Sequence, residues 1–242
     1  MNVIAIIPAR YASTRFPAKA LALLCGKPII QHVYERVAAS KLFNEIAVAT
    51  DHPAIMDAVQ AFGGNAIMTS GKHQSGSDRI AEAAKHYPGA ELILNVQGDE
   101  PLIDPNSLAD LIRVFENDNT IQMASLMTPI SDPAMLSNPN IVKVVTDVSG
   151  NALYFSRSCI PFNRDGDESI DYFRHIGVYA YKTETLFQFV ILPLSTLEKA
   201  EKLEQLRALE NNISIRMVNT NYQGIGIDTP EDLAQMEKQS LL

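Results

Sequence analysis

The amino-acid sequence predicts a doubly wound α/β fold with a mainly parallel sheet, on three observations. Short apolar runs recur from the N-terminus, helix-length patterns alternate with them, and turn or capping residues punctuate the boundaries. The chain has 242 residues, 46% of them apolar, which suits one domain (1–242) with a sizeable core. No repeat, low-complexity stretch or long linker divides it.

Val3-Ile4-Ala5-Ile6-Ile7 is continuously apolar, as a strand buried on both faces of a parallel sheet should be. Ile46–Ala49, Ala66–Met68 and Leu92–Val96 repeat the style, with helices expected at about Ile29–Ser40, Pro53–Phe62, Ser77–Tyr87 and Pro105–Phe115. Pro53 suits a first helical turn, and Gly63-Gly64 a stop. The second half is more mixed. Val142–Asp147 and Ala152–Phe155, split by Ser149-Gly150-Asn151, read as a hairpin, and His175–Tyr181 as a further strand. Leu197–Glu210 reads as one helix capped by Ser195, Ile213–Val218 as a strand, and Pro230–Lys238 as a closing helix. The expected whole is a flanked, mainly parallel sheet with a small β extension.

Twenty Lys+Arg against 28 Asp+Glu give a net charge of −8. Residues 1–34 hold Arg10, Arg15, Lys19 and Lys27 and no acid, so that stretch carries +4 and the remainder −12. Broad nucleic-acid binding needs a wide positive face, so this balance argues against it and favours a small anion in a local pocket. No apolar run is long enough for a membrane span, and the N-terminus lacks the features of a signal peptide. Cys25 and Cys159 stand alone without metal-type spacing, which suits a reducing cytoplasm.

Pro8 to Lys19 directly follows the first strand, at the carboxyl end where open α/β sheets bind ligands. Arg10, Arg15 and Lys19 stand there with Ser13 and Thr14. Arginine grips phosphate oxygens through paired N–H bonds and lysine adds a point charge, so a triphosphate could engage all three. Neither G-x-x-x-x-G-K-[ST] nor G-x-G-x-x-G is present, which argues against a Walker NTPase and a dinucleotide oxidoreductase.

Gln97-Gly98-Asp99-Glu100-Pro101 ends another buried strand. Mg²⁺ takes one or two carboxylates and completes its shell with phosphate and water, so a strand-end acid opposite a phosphate loop fits. Alternating side-chain directions favour Asp99 over Glu100, although Asp99 could also serve as a turn cap. In Gly226-Ile227-Asp228-Thr229-Pro230, Asp228 or Thr229 reads as a helix N-cap, and Asp228 alternatively as a second carboxylate on the same metal. Gln74 and Ser75 could read a base edge or merely cap a turn. Arg157, His175 and Tyr179 could hold an anionic or hydroxylated acceptor, and each also has an ordinary structural reading. His32, His52 and His86 lack partners at metal spacing.

In combination and order, these segments, with Ser75-Gly76-Ser77-Asp78-Arg79, Tyr154-Phe155-Ser156-Arg157, His175-Ile176-Gly177-Val178-Tyr179 and Leu203-Glu204-Gln205-Leu206-Arg207, closely resemble the 3-deoxy-manno-octulosonate (Kdo) cytidylyltransferases. The likeness runs from about residue 3 to residue 235. It implies a Rossmann-like nucleotidyltransferase fold, a homodimer, and a Mg²⁺-dependent reaction of CTP with Kdo giving CMP-Kdo and diphosphate, for lipopolysaccharide biosynthesis. It further implies triphosphate binding by Arg10, Arg15 and Lys19, and cytosine and ribose contacts near Gln74 and Ser75. Mg²⁺ would sit on Asp99 and Asp228. The sugar acid would meet Gln97, Arg157, His175, Tyr179, Glu204 and Gln205. The family usually has Pro-Gly-Lys-Pro-Leu where this chain has Pro17-Ala18-Lys19-Ala20-Leu21, which bears on the loop's mobility and on Lys19. The alternatives are a cytidylyltransferase for 8-amino-Kdo or sialate, and a nucleotide sensor without catalysis.

Overall fold

The computed structural model describes residues 1–12, 15–167 and 169–238, so Ser13 and Thr14 of the basic loop lie outside the described residues. The chain divides into two compact units, residues 1–109 with 224–242, and residues 110–223.

In the first unit β1 (Val3–Ala9) is followed by the two-residue strands β2 (Leu23–Leu24) and β3 (Lys27–Pro28), then α1 (Ile29–Ala39), β4 (Glu45–Thr50), α2 (Pro53–Ala61), β5 (Ala66–Met68), α3 (Gly76–Ala84) and β6 (Leu92–Asn95). The order β6-β1-β4-β5 is parallel throughout, with Ile4 opposite Ile93 on one side and Glu45 on the other. Val3–Ile7 is almost wholly buried, as its unbroken apolar run requires. Each anticipated strand and helix of this half is present within a few residues. The β2–β3 hairpin turns through Cys25 and Gly26, both at positive φ, as a two-residue turn of matching twist demands.

Helix α4 (Pro105–Asn117) begins in the first unit and ends in the second. The second unit holds β7 (Met123–Pro129), α5 (Ala134–Ser137), β8 (Lys143–Thr146), β9 (Ala152–Ser156), β10 (Phe173–Lys182), α6 (Thr183–Val190), α7 (Thr196–Glu201), α8 (Gln205–Glu210) and β11 (Ile215–Asn219). Its strands pair β11-β7-β10-β8-β9, parallel in the first pair and antiparallel in the rest, which supplies the anticipated β extension. Strand β7 carried no strand pattern in the sequence because Ala124, Ser125 and Thr128 interrupt its apolar residues, yet all three are buried. The single helix expected over Leu197–Glu210 is two. Lys202 turns left-handed at φ 55, and Arg157 donates to the carbonyls of Glu201 and Lys202 that a continuous helix would have used.

Helix α9 (Pro230–Lys238) returns the chain to the first unit. Met236 and Leu233 from it pack with Leu24, Ile29, Ile227 and Phe16, which anchors the far end of the basic loop to the chain's last helix. Among the described residues, no helix is long and apolar enough to cross a membrane.

Candidate active site

The carboxyl ends of β1 and β6 open onto a cavity of about 530 Å³ within the first unit, a size that suits a nucleotide-scale ligand. Arg10, Arg15, Lys19, Gln97, Asp99 and Asp228 all line it. Three segments far apart in sequence therefore meet where parallel sheets place their ligands.

Local backbone geometry brings them there. Gly98 lies against β1 so closely that a Cβ on it would sit 2.7 Å from the Pro8 carbonyl oxygen, and only glycine fits without displacing backbone. The Ile227 amide donates to the Asp99 carbonyl at 2.9 Å, setting Asp228 beside Asp99. Thr229 is the N-cap of α9, its Oγ1 accepting the Asp232 amide while Asp232 accepts from the amides of Thr229 and Asp228, so the Asp228 carboxylate is not used in the cap and faces the cavity. Of the two residues the sequence offered as the cap, it is therefore Thr229 and not Asp228 that serves. Glu100, the neighbour of Asp99, is buried instead.

Lys19 Nζ lies 2.5 Å from Asp99 Oδ2 and 3.1 Å from Asp228 Oδ1, and Arg15 reaches the same Asp228 oxygen at 3.0 Å. Two carboxylates thus converge on one ammonium with cations around them. The convergence tests the metal reading directly: two hard oxygen donors that close on one cationic nitrogen can close on one Mg²⁺, whose shell takes one or two protein carboxylates. Among the described residues, no group of three or more acidic, histidine or cysteine side chains forms a larger cage. Ala18, standing where the family usually has glycine, adopts the left-handed conformation at φ 53 and ψ 27. The turn that delivers Lys19 is kept despite the missing glycine, at about 1 kcal/mol of strain. Lys27 pairs with Glu35 on the exposed surface.

Helix α3 contributes its first residue, Gly76, to the cavity wall. Ser75 is the N-cap of α3, in a reciprocal capping box with Asp78, so the capping reading of that serine is realised. Gln74 donates to the Lys72 carbonyl.

The other anticipated residues belong to the second unit. His175 Nε2 lies 3.0 Å from Ser125 Oγ, and its ring packs 5.3 Å from that of Tyr179 and edge-on to Phe155. Burial, with the nearby Arg174 charge, pushes the His175 pKa down to about 3, so the imidazole is neutral at physiological pH. Burial likewise raises the Tyr179 phenol well above its ordinary value, with the Tyr181 ring and the Glu204 charge adding to it. Both are therefore neutral hydrogen-bonding groups. A β-bulge in β10 between Ile176 and Tyr179 sets their orientation, and Ser125 Oγ stitches it through the Ile176 and Val178 carbonyls. Gln205 is buried, and its amide nitrogen has no hydrogen-bond partner among the described residues. The Arg157 guanidinium donates to the carbonyls of Glu201, Pro139 and Lys202, a clamp on the segment that leads into Glu204 and Gln205. Arg207 forks onto Glu198 at 2.8 and 2.7 Å.

Sequence reasoning named His52 and Arg79 without giving either a role, and did not reach Asp51. Asp51, His52 and Arg79 support the basic loop from behind. Thr50-Asp51-His52 at a strand end was the available signal.

The profile of the cytidylyltransferase family matches residues 4–215. The chain is 50% identical to the 3-deoxy-manno-octulosonate cytidylyltransferase of Geobacter sulfurreducens over 98% of each chain. It is also 50% identical to that of Flavobacterium johnsoniae over 96% of each. Among solved structures, CMP:2-keto-3-deoxy-manno-octonic acid synthetase complexed with CTP superposes with a TM-score of 0.94 at 42% identity, covering 99% of this chain and 98% of that one. A 4-diphosphocytidyl-2C-methyl-D-erythritol synthase from Anaerococcus prevotii shares the fold, with a TM-score of 0.65 at 17% identity over 100% and 99% of the two chains.

Proposed function

The chain belongs to the 3-deoxy-manno-octulosonate cytidylyltransferase family, and from that premise we propose that it transfers CMP from CTP to Kdo, releasing diphosphate. The observation that carries the reading is the meeting of Asp99 and Asp228 with Arg10, Arg15 and Lys19 around one cavity. A nucleotide sensor needs the cations but not a converging pair of carboxylates.

The anomeric hydroxyl oxygen of the sugar acid attacks the α-phosphorus of CTP, its proton passes to water, and the bond from that phosphorus to the bridging oxygen breaks as diphosphate leaves. Such a transfer depends mainly on positioning and on neutralising charge. Arg10, Arg15 and Lys19 bind the triphosphate and take up the charge that grows on the leaving group. Asp99 and Asp228 are the carboxylates that would hold Mg²⁺, which when bound neutralises phosphate oxygens and acidifies a neighbouring hydroxyl. Gln74 and Ser75 stand on the nucleoside side.

Gln97, His175, Tyr179, Glu204 and Gln205 recognise the sugar acid. The orphaned Gln205 amide supports this, since a hydroxyl or carboxylate oxygen would satisfy it. Arg157 serves the same side by holding the chain that carries Glu204 and Gln205. The two units act as one nucleotidyltransferase domain of a cytoplasmic homodimer, whose product feeds lipopolysaccharide biosynthesis.

Arg15 is the most exposed cation of the set, so its loss should cost binding rather than folding. Arg15→Ala is expected to raise the KM for CTP about tenfold, the loss of one charge-assisted contact, with the melting temperature unchanged. Steady-state kinetics at saturating Kdo and Mg²⁺ measure this, and an unaltered KM removes Arg15 from the triphosphate.

A further inference from the structure

Arg79 in α3 is fully buried, an expensive position for a guanidinium. Its NH2 donates to Asp51 Oδ2 at 2.7 Å and its NH1 to Thr69 Oγ1 at 2.6 Å, while its Nε has no hydrogen-bond partner among the described residues. A well-packed apolar side chain would stabilise such a core as well or better. What the charged fork adds is a fixed geometry among three strand ends.

Those strand ends reach the cavity through the basic loop and the start of α3, which supply Arg10, Arg15, Lys19 and Gly76 to its lining. Asp51, just beyond β4, uses its second oxygen to accept the Tyr11 amide of the basic loop at 3.2 Å. The neighbouring His52 stacks on the Tyr11 ring with centroids 3.7 Å apart and planes 13° from parallel. His52 is itself locked, because its Nδ1 accepts the Ala54 amide at the start of α2. Thr69, just beyond β5, takes the other arm of Arg79 and donates to the Thr50 carbonyl. One turn along α3 from Arg79, Glu82 accepts the Ser70 amide and pairs with His73, holding the segment that ends in Gly76.

We infer that Arg79 and Asp51 form a positioning pair for nucleotide binding, setting the basic loop against the 69–76 segment. Neither residue lines the cavity, and both act through the Tyr11 amide and Thr69. The inference rests on the function proposed above and adds the device that aligns its triphosphate site. Because the pair acts on the nucleotide side, its loss should separate the two substrates.

The test is steady-state diphosphate release with each substrate varied in turn, on Asp51→Ala, Arg79→Met and the double variant. Asp51→Ala is expected to raise the KM for CTP about tenfold, with the sugar-acid KM and kcat changing less than about threefold. Arg79→Met should show the same split, and the double variant should be no worse than the poorer single, because both act through one connection. Asp51→Asn, which keeps the acceptor for the Tyr11 amide, should recover most of the CTP affinity. An unchanged CTP KM in Asp51→Ala overturns the inference, and so does a uniform loss of kcat without the split. Should either single variant fail to fold, Asp51→Asn and the double variant, which strands no buried charge, decide. Failure of the parent chain to release diphosphate would instead overturn the proposed function, whereas parent turnover with unaffected variants sinks the positioning pair alone.

Discussion

Asp99→Asn is expected to lower kcat by about 10²–10³-fold, the scale of losing one preorganised electrostatic group, while the KM for CTP moves far less. The amide keeps the shape and one oxygen of the carboxylate but removes its charge. Lys19, at 2.5 Å from Asp99 and 3.1 Å from Asp228, would then face a single carboxylate, and a divalent cation would lose one of its two anionic donors. Arg10 and Arg15 would still bind phosphate, so the ground state suffers less than the transition state. Folding should be unaffected, since the side chain is partly exposed and the nearby chain is held by the Ile227-to-Asp99 backbone bond. Turnover and a melting curve at saturating Mg²⁺ check both halves, and wild-type turnover would remove Asp99 from the metal.

Arg207→Met should lower stability by about 3 kcal/mol, because it strands a buried carboxylate. Arg207 and Glu198 are about 10% exposed and joined by two parallel hydrogen bonds, with the guanidinium also 5.3 Å from the Phe189 ring centre. Glu198 additionally accepts the Ser195 amide at the start of α7, so the pair ties α7 to α8 across the Lys202 break. A loss of that size lowers the melting temperature by about 6–12 °C in a chain this long. Adding Glu198→Leu should restore much of it, since removing both charges abolishes the stranded one. Thermal melts of the two variants measure this, and a single variant that melts like the parent would show the pair to be dispensable.

The parallel half of the fold was legible because its strands are buried on both faces and read as unbroken apolar runs. Strand β7 was hidden by Ala124, Ser125 and Thr128, whose burial depends on tertiary context that no local pattern carries. The break at Lys202 was hidden because the apolar spacing on either side is continuous, and the competing hydrogen bonds come from Arg157, some 45 residues earlier. At the site, the basic loop and the two acidic segments could be named from residue type and position after strands. Their meeting could not, because it depends on one backbone bond between residues 99 and 227 and on Thr229 and Asp232 taking the cap between them. The pairing of Asp51 with Arg79 was silent for a related reason: an ion pair spanning 28 residues leaves no local spacing to read.

The central claim is that this chain couples CTP to Kdo at the Asp99–Asp228 site. The most direct measurement is diphosphate release with CTP, Kdo and Mg²⁺ together and with each omitted in turn, with the product identified. The account predicts stoichiometric diphosphate and CMP-Kdo in the complete mixture and none when any one of the three is left out. Diphosphate release that ignores Kdo, or CTP binding with no release at all, would contradict it.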